Sequence, residues 1–295
     1  MKLLKGGTES WPIHLHAASS IVRALRATKI LRYFGSASYV ERIDQGENYP
    51  VVDKIACDFL VGTFIWFDIL ASASTRSKHF LENNFEYLDH IELDRVMGCE
   101  NWVMILIARI SLLEEWKRDM QRNGRLSMVE LSTRGSEIEK MLNSGLASQT
   151  LFPSAPVLES CPSRYTSIIT RIFAYTALTY LHTVVSGAHP KLAEIKASAS
   201  ITIAAFSNLP VPKLLQNLVW PFCITGCMAS RDQDSFFRNL IVSAGVDEEC
   251  PGNYWKAFEV IQECWRLREN QDQGSSDGID WTSAMSSLGF QVLLV

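Results

Sequence analysis

The sequence predicts an all-α fold, one multi-helix domain over residues 1–295 with roughly nine to eleven helices. Three observations carry this reading. Apolar residues recur at three- and four-residue steps in one segment after another. Stretches bearing glycine, proline, serine and asparagine separate those segments. No series of strand-like alternating runs at regular spacing is present. With 295 residues, 47% hydrophobic and 20% charged, the chain has material for a sizeable core, and no stretch reads as a linker long enough to divide it.

From Trp11 to Phe34, Ile13, Ala17, Ile21 and Leu25 fall at four-residue steps, which predicts an amphipathic helix with that stripe inward. His14 and His16 stand two apart, on different sides of such a helix, and read as surface residues rather than a metal pair. Tyr33 to Tyr49 reads as a loop ending at Pro50. The run from Asp53 to Thr75 is apolar on nearly every face between Phe59 and Ala71, which predicts the central helix, packed on several sides. Asp68 lies inside it beside Trp66 and Phe67, and an ionised carboxylate there needs a partner. That partner is either structural, with Arg109 the obvious cation, or Asp68 is a polar anchor in an apolar pocket.

Residues 79–93 carry a weaker helical pattern through Phe80, Leu81, Phe85, Leu88 and Ile91. From Gly98 a second buried helix runs through Trp102, Ile105, Leu106, Ile110 and Leu113, with Glu114 to Asp119 as its solvated end. Ser127 to Leu146 is another amphipathic helix, with Met128, Leu131, Ile138, Met141 and Leu142 inward, and the proline-bearing stretch 151–162 is a loop. Residues 163–185 place Ile168, Ile172, Tyr175, Leu178 and Leu181 on one stripe that stops at Ser186-Gly187. Further helices follow over 192–209, then from Trp220-Pro221, where a proline suits a helix start, then over 234–245 and 254–271. Residues 271–278 read as a spacer, and a short helix from Asp280 leads to an apolar tail with no strand partner.

The net charge of −4 and pI of about 5.9 give no general attraction to phosphate backbones, so this chain is a poor DNA binder alone. Seven scattered cysteines lack the dense spacing of a disulfide scaffold and read as reduced thiols. The Met1 region holds no targeting segment, and Asp68 interrupts the longest apolar run before it could cross a bilayer, so no membrane partner is expected. P-loop, GxGxxG, GxSxG and HExxH motifs are all missing, so no catalytic residue and no cofactor is assigned. Cys223 and Cys227 share a helix face, but no second pair lies nearby in sequence, and packed core thiols fit better than metal ligands. His182 reads as a capping or core histidine, with a general base or pocket donor as the other reading.

Several segments together resemble one family: WPIHLHAA, FDILASAST, GCENWVM, AYTALTYLHTVVSGAHP, LVWPFCITGCMA followed by FFRNLIVSAG, ECWRLRE, and the closing WTSAMSSLGFQVLLV. In order and over nearly the whole chain they are similar to the regulatory domain of fungal zinc binuclear cluster transcription factors. The resemblance implies an all-helical effector domain, nuclear residence and control of RNA polymerase II transcription, with DNA contacted by a separate six-cysteine zinc cluster. No CxxC occurs in these 295 residues, so those metal ligands have no counterpart here and no residue is assigned to DNA. Relative to the family the chain looks N-terminally truncated, starting just before the Trp11 segment.

The expected function is therefore transcription regulation through the helical domain, in a metabolic gene cluster. Expected partners are proteins of the transcription machinery, a homo- or heterodimer with family members, and a small-molecule effector. Trp66, Asp68, Trp102, Tyr175, His182 and Trp220 are the pocket candidates. The alternative is a repurposed helical enzyme or small-molecule-binding protein of secondary metabolism, with Asp68 or His182 moving a proton in a water-excluding cavity.

Overall fold

Helical periodicity becomes helix in every segment that the structure, a computed structural model, describes: residues 11–27, 51–80, 93–94, 98–151, 162–245, 253–270 and 278–295. Among the described residues the elements are α1 (Trp11–Ala27), α2 (Val51–Thr75), α3 (Asn101–Arg122), α4 (Met128–Leu151), α5 (Pro162–Ser186), α6 (Ala193–Ser207), α7 (Val219–Met228), α8 (Asp234–Ser243), α9 (Asn253–Glu269) and α10 (Trp281–Leu288). Two 3-10 turns, Pro212–Asn217 and Arg231–Gln233, flank α7, and no strand occurs among the described residues. The predicted helix over 79–93, the loops over 33–49 and 151–162 and the spacer over 271–278 lie wholly or mostly outside those residues, and the ends of the second loop, Leu151 and Pro162, belong to α4 and α5.

Composition decides which helix is enclosed. α7 has apolar or small residues at every position, and all ten are buried. Its Pro221 sits in the first turn, where no intrahelical N–H bond is lost. α5 is the hub, touching α3, α4, α6 and α7. By length and composition its Tyr165–Ser186 stretch is able to cross a bilayer, but 72% of that apolar window is buried inside the bundle. α2, expected at the centre, is buried from Val61 to Ser74 and packs on α1, α3 and α10, while Phe59 and Leu60 are exposed.

Several predicted faces are corrected. In α1 the stripe Ile13, Ala17, Ile21 faces outward, and Trp11, Leu15 and Val22 are the buried set. The Trp11 indole N–H reaches the Gln291 carbonyl at 3.4 Å, which fixes the helix rotation from the far end of the chain. In α3, Arg109 is exposed rather than buried, and Glu114 is buried rather than solvated. In α4, Leu131, Ile138 and Leu142 are inward, but Met128 and Met141 are not.

Between the helices runs a chain of aromatic rings. Trp66 of α2 meets Phe173 of α5 edge-on at 5.2 Å, Phe173 stacks on Trp220 of α7 at 5.9 Å, Trp220 meets Tyr180 at 6.0 Å, and Tyr180 meets Trp281 of α10 at 5.7 Å. Edge-to-face and offset contacts of this kind add about 0.5–1.5 kcal/mol each beyond area burial. They tie the two ends of the chain to α5 and α7. The C-terminal tail then lies extended, with Val292, Leu293 and Leu294 buried.

Candidate functional site

Two buried polar nodes hold the exit of α2. In the first, the Asp68 carboxylate accepts the backbone N–H of Phe80 at 2.8 Å and lies 3.6 Å from His79 Nδ1. His79 Nε2 in turn bonds Ser111 Oγ of α3 at 2.8 Å. The expected Arg109 partner is elsewhere, its guanidinium on the Met141 sulfur. Arg109 is exposed, whereas Met104, Ile107 and Ser111 of the same helix are buried.

The second node centres on Arg76, a residue that sequence reasoning missed. Arg76 closes α2 in the left-handed conformation, φ 55°, where glycine or asparagine is usual and another side chain costs roughly 1–2 kcal/mol. Its Nε lies 2.5 Å from Glu114 Oε1, and its Nη2 pairs with Asp280 Oδ2. Tyr180 donates to the other Glu114 oxygen at 2.7 Å, and Arg118 donates to the Arg76 carbonyl at 2.7 Å. Burial alone lowers the Arg76 pKa, but the pull of Glu114 and then Asp280 outweighs it and the net direction is upward. Burial, followed by the Glu114 charge, pushes the Tyr180 phenol well above its ordinary range. Near neutral pH Arg76 therefore stays cationic and Tyr180 stays a neutral donor, which suits a clamp.

The six pocket candidates do not meet in one place. Trp66 and Trp220 join through Phe173 in the aromatic chain, and Asp68 belongs to the first polar node. Trp102 donates to Glu100 Oε2 at 2.8 Å, and its ring covers Gly145 of α4, where an added Cβ would fall 2.5 Å from it. Tyr175 accepts from Arg171 at 2.9 Å on the same helix. His182 lies 3.4 Å from Ser198 Oγ of α6 and 3.5 Å from Glu139 Oε1 of α4.

Other residues line the clefts. A groove of about 560 Å³ between α3 and α4 has Leu112, Leu113, Ile138 and Met141 beside Arg109 and Arg134. A larger cleft, about 700 Å³, opens between α6, the end of α7 and α9, with Lys196, Ile203, Met228, Trp265 and Arg268 on its walls. No sequence signal joins Lys196 to Arg268; only the packing of α6 and α9 around α7 does. Beside this cleft Cys223, Cys227 and Cys264 are buried as free thiols. Burial pushes the Cys227 and Cys264 thiols well above their ordinary range, away from the thiolate that metal binding requires. Among the described residues no group of three or more His, Cys, Asp or Glu side chains is arranged to hold a metal.

The sequence matches the fungal specific transcription factor domain over residues 2–295. It is 35% identical to a trichothecene biosynthesis transcription regulator of Trichoderma arundinaceum, over 97% of this chain and 68% of that protein. It is 30% identical to a transcription factor of Pestalotiopsis microspora, over 97% of this chain and 50% of the relative. It is also 30% identical to the ustiloxin B cluster transcription factor of Aspergillus flavus, over 78% and 41%. No solved structure matches the chain. A family match over residues 2–295, with a relative 35% identical over 97% of this chain, places it plainly: it belongs to the fungal specific transcription factor domain family.

Proposed function

We propose that the protein regulates RNA polymerase II transcription of a secondary-metabolite gene cluster, acting in the nucleus through its helical domain. The observation that carries this reading is the match over residues 2–295, together with relatives named as regulators of biosynthetic clusters. Two features favour action through contacts rather than chemistry. Asp68 and His182, the groups assigned a proton-moving role in the enzyme reading, are each hydrogen-bonded into the helix framework at separate places. The net charge of −4 and the lack of any CxxC favour DNA contact through a module outside these residues or through a partner. Its partners are then proteins of the transcription machinery, a second family member in a homo- or heterodimer, and a small-molecule effector.

Deleting the gene and measuring transcripts of the neighbouring biosynthetic genes tests the assignment. Those transcripts are expected to change several-fold together, with the metabolite following. Loss of the metabolite with level transcripts would overturn the regulator reading and put the repurposed enzyme in its place.

A further inference from the structure

The protein is acidic overall, with a formal net charge of −4, yet the cleft between α6 and α9 is cationic. The cleft between α6, the 229–233 turn and α9 has a volume of about 700 Å³, within the ~300–1,000 Å³ range of small-molecule sites. Ala199, Ile203, Met228 and Trp265 give it an apolar wall. The Trp265 indole N–H is already taken by the carbonyls of Gly226 at 3.1 Å and Ala229 at 3.0 Å, so this residue offers a ring held in place and no donor.

Four cations line the cleft against two carboxylates. Arg231 is paired with Glu269, and Asp232 accepts from the Ser230 hydroxyl. Lys191 and Lys196 are exposed, and among the described residues neither forms an ion pair. Arg268 also lines the cleft: its Nη1 and Nη2 donate to the carbonyls of Cys227 and Ile279, while among the described residues its buried Nε–H has no acceptor. A donor of that kind is costly to leave unmade, and an anion beside it would relieve the cost.

We propose that this cleft binds an organic anion, an apolar ring system bearing a carboxylate, with Lys191 and Lys196 holding the charge, Arg268 adding to the field, and Trp265, Met228 and Ile203 covering the rings. The proposal rests on the reading of the domain as a sensor of a small molecule and names that molecule's chemical class. Backbone phosphate is a poor match, since a concave, half-apolar site favours a discrete ligand over a linear polyanion.

Isothermal titration calorimetry of the 295-residue chain with 2-naphthoate, and with the neutral 2-naphthamide as control, tests it. Saturable one-site binding of the naphthoate is expected, at least tenfold tighter than the amide and weakened by added salt. The K191E/K196E double variant changes two exposed side chains and is expected to lose at least tenfold in naphthoate affinity with an unchanged thermal melt. If that variant melts early, Lys196→Gln takes its place, with an expected loss of about threefold, near 0.7 kcal/mol by the tenfold-per-1.4 kcal/mol relation. No saturable heat, equal affinity for the amide, or undiminished binding by the lysine variant that folds overturns the proposal. Calorimetry says nothing of transcription, so its failure and a failure of the transcript measurement are separate results.

Discussion

Asp68 and Asp280 are both carboxylates with almost no exposure, 0% and 1%, and they are held in opposite ways. Among the described residues Asp68 takes a backbone N–H twelve residues downstream and the neighbouring His79, contacts that fix the turn by which the chain leaves α2. Asp280 is bound at long range. One oxygen caps α10 by accepting from the backbone N–H and hydroxyl of both Thr282 and Ser283, and the other pairs with Arg76, 204 residues earlier. Equal burial therefore says little about equal consequence. What matters is whether the partner is a fixed dipole nearby or a charge brought from another part of the fold.

The largest expected effect comes from removing the shared cation. Arg76→Met leaves Glu114 and Asp280 buried beside an apolar side chain, and breaking a buried pair on one side costs about 3–5 kcal/mol. Chemical denaturation should show that loss, and hydrogen exchange should show faster opening of α10, whose cap it supports. If α10 exchanges as before, Asp280 is held by its cap alone and the contrast with Asp68 disappears.

Asp68→Asn is the matched change at the other node. The amide oxygen still accepts the Phe80 N–H, but the carboxylate's stronger bond and its charge beside His79 are lost, an expected cost of about 1–3 kcal/mol. Exchange should quicken at residues 76–80 and stay unchanged in α10. A faster α10 would mean that the two nodes act as one unit.

The difference between local and distant partners also marks what the sequence discloses. Of the run predicted as enclosed, Phe59 to Ala71, the part from Val61 onward was legible because it is apolar on nearly every face and no choice of face had to be made, whereas Phe59 and Leu60 are exposed. In α1 a choice was needed, and periodicity offers two stripes: Ile13, Ala17, Ile21 and Trp11, Leu15, Val22. The tertiary contacts of α1 select the second, among them the bond from Trp11 to the Gln291 carbonyl at the other end of the chain and the packing on α2. Glu114 sits in a charged stretch that reads as solvated, yet Tyr180 and Arg76 converge on it and bury it. The candidate cleft was illegible for the same reason, since Lys196 and Arg268 are far apart in sequence and carry no motif. Trp66 and Trp220, by contrast, were legible as aromatics in apolar runs, and the fold uses both in its ring chain.

The smallest effect is expected at a third carboxylate, Glu263 of α9, which combines the two modes and whose ion-pair partner Arg266 is exposed. It is bonded locally to Arg266 at 2.6 Å through both oxygens and distantly to the Ser287 hydroxyl of α10 at 2.5 Å. The hydrogen bonds from Arg266 and then Ser287 hold its pKa down to about 2 against an ordinary 4.5. A carboxyl depressed on folding stabilises the protein above its unfolded pKa, and that contribution fades as the pH falls from 4.5 towards about 2. Glu263→Gln should therefore lower the Tm by about 1–2 °C at pH 7, given the small worth of solvent-facing ion pairs in a chain of this size, and the gap to the parent should narrow at pH 3. A gap that stays constant between pH 7 and pH 3 would mean that the Ser287 bond, which the glutamine amide can still make, was never the issue and that shape at the α9–α10 contact matters more than charge.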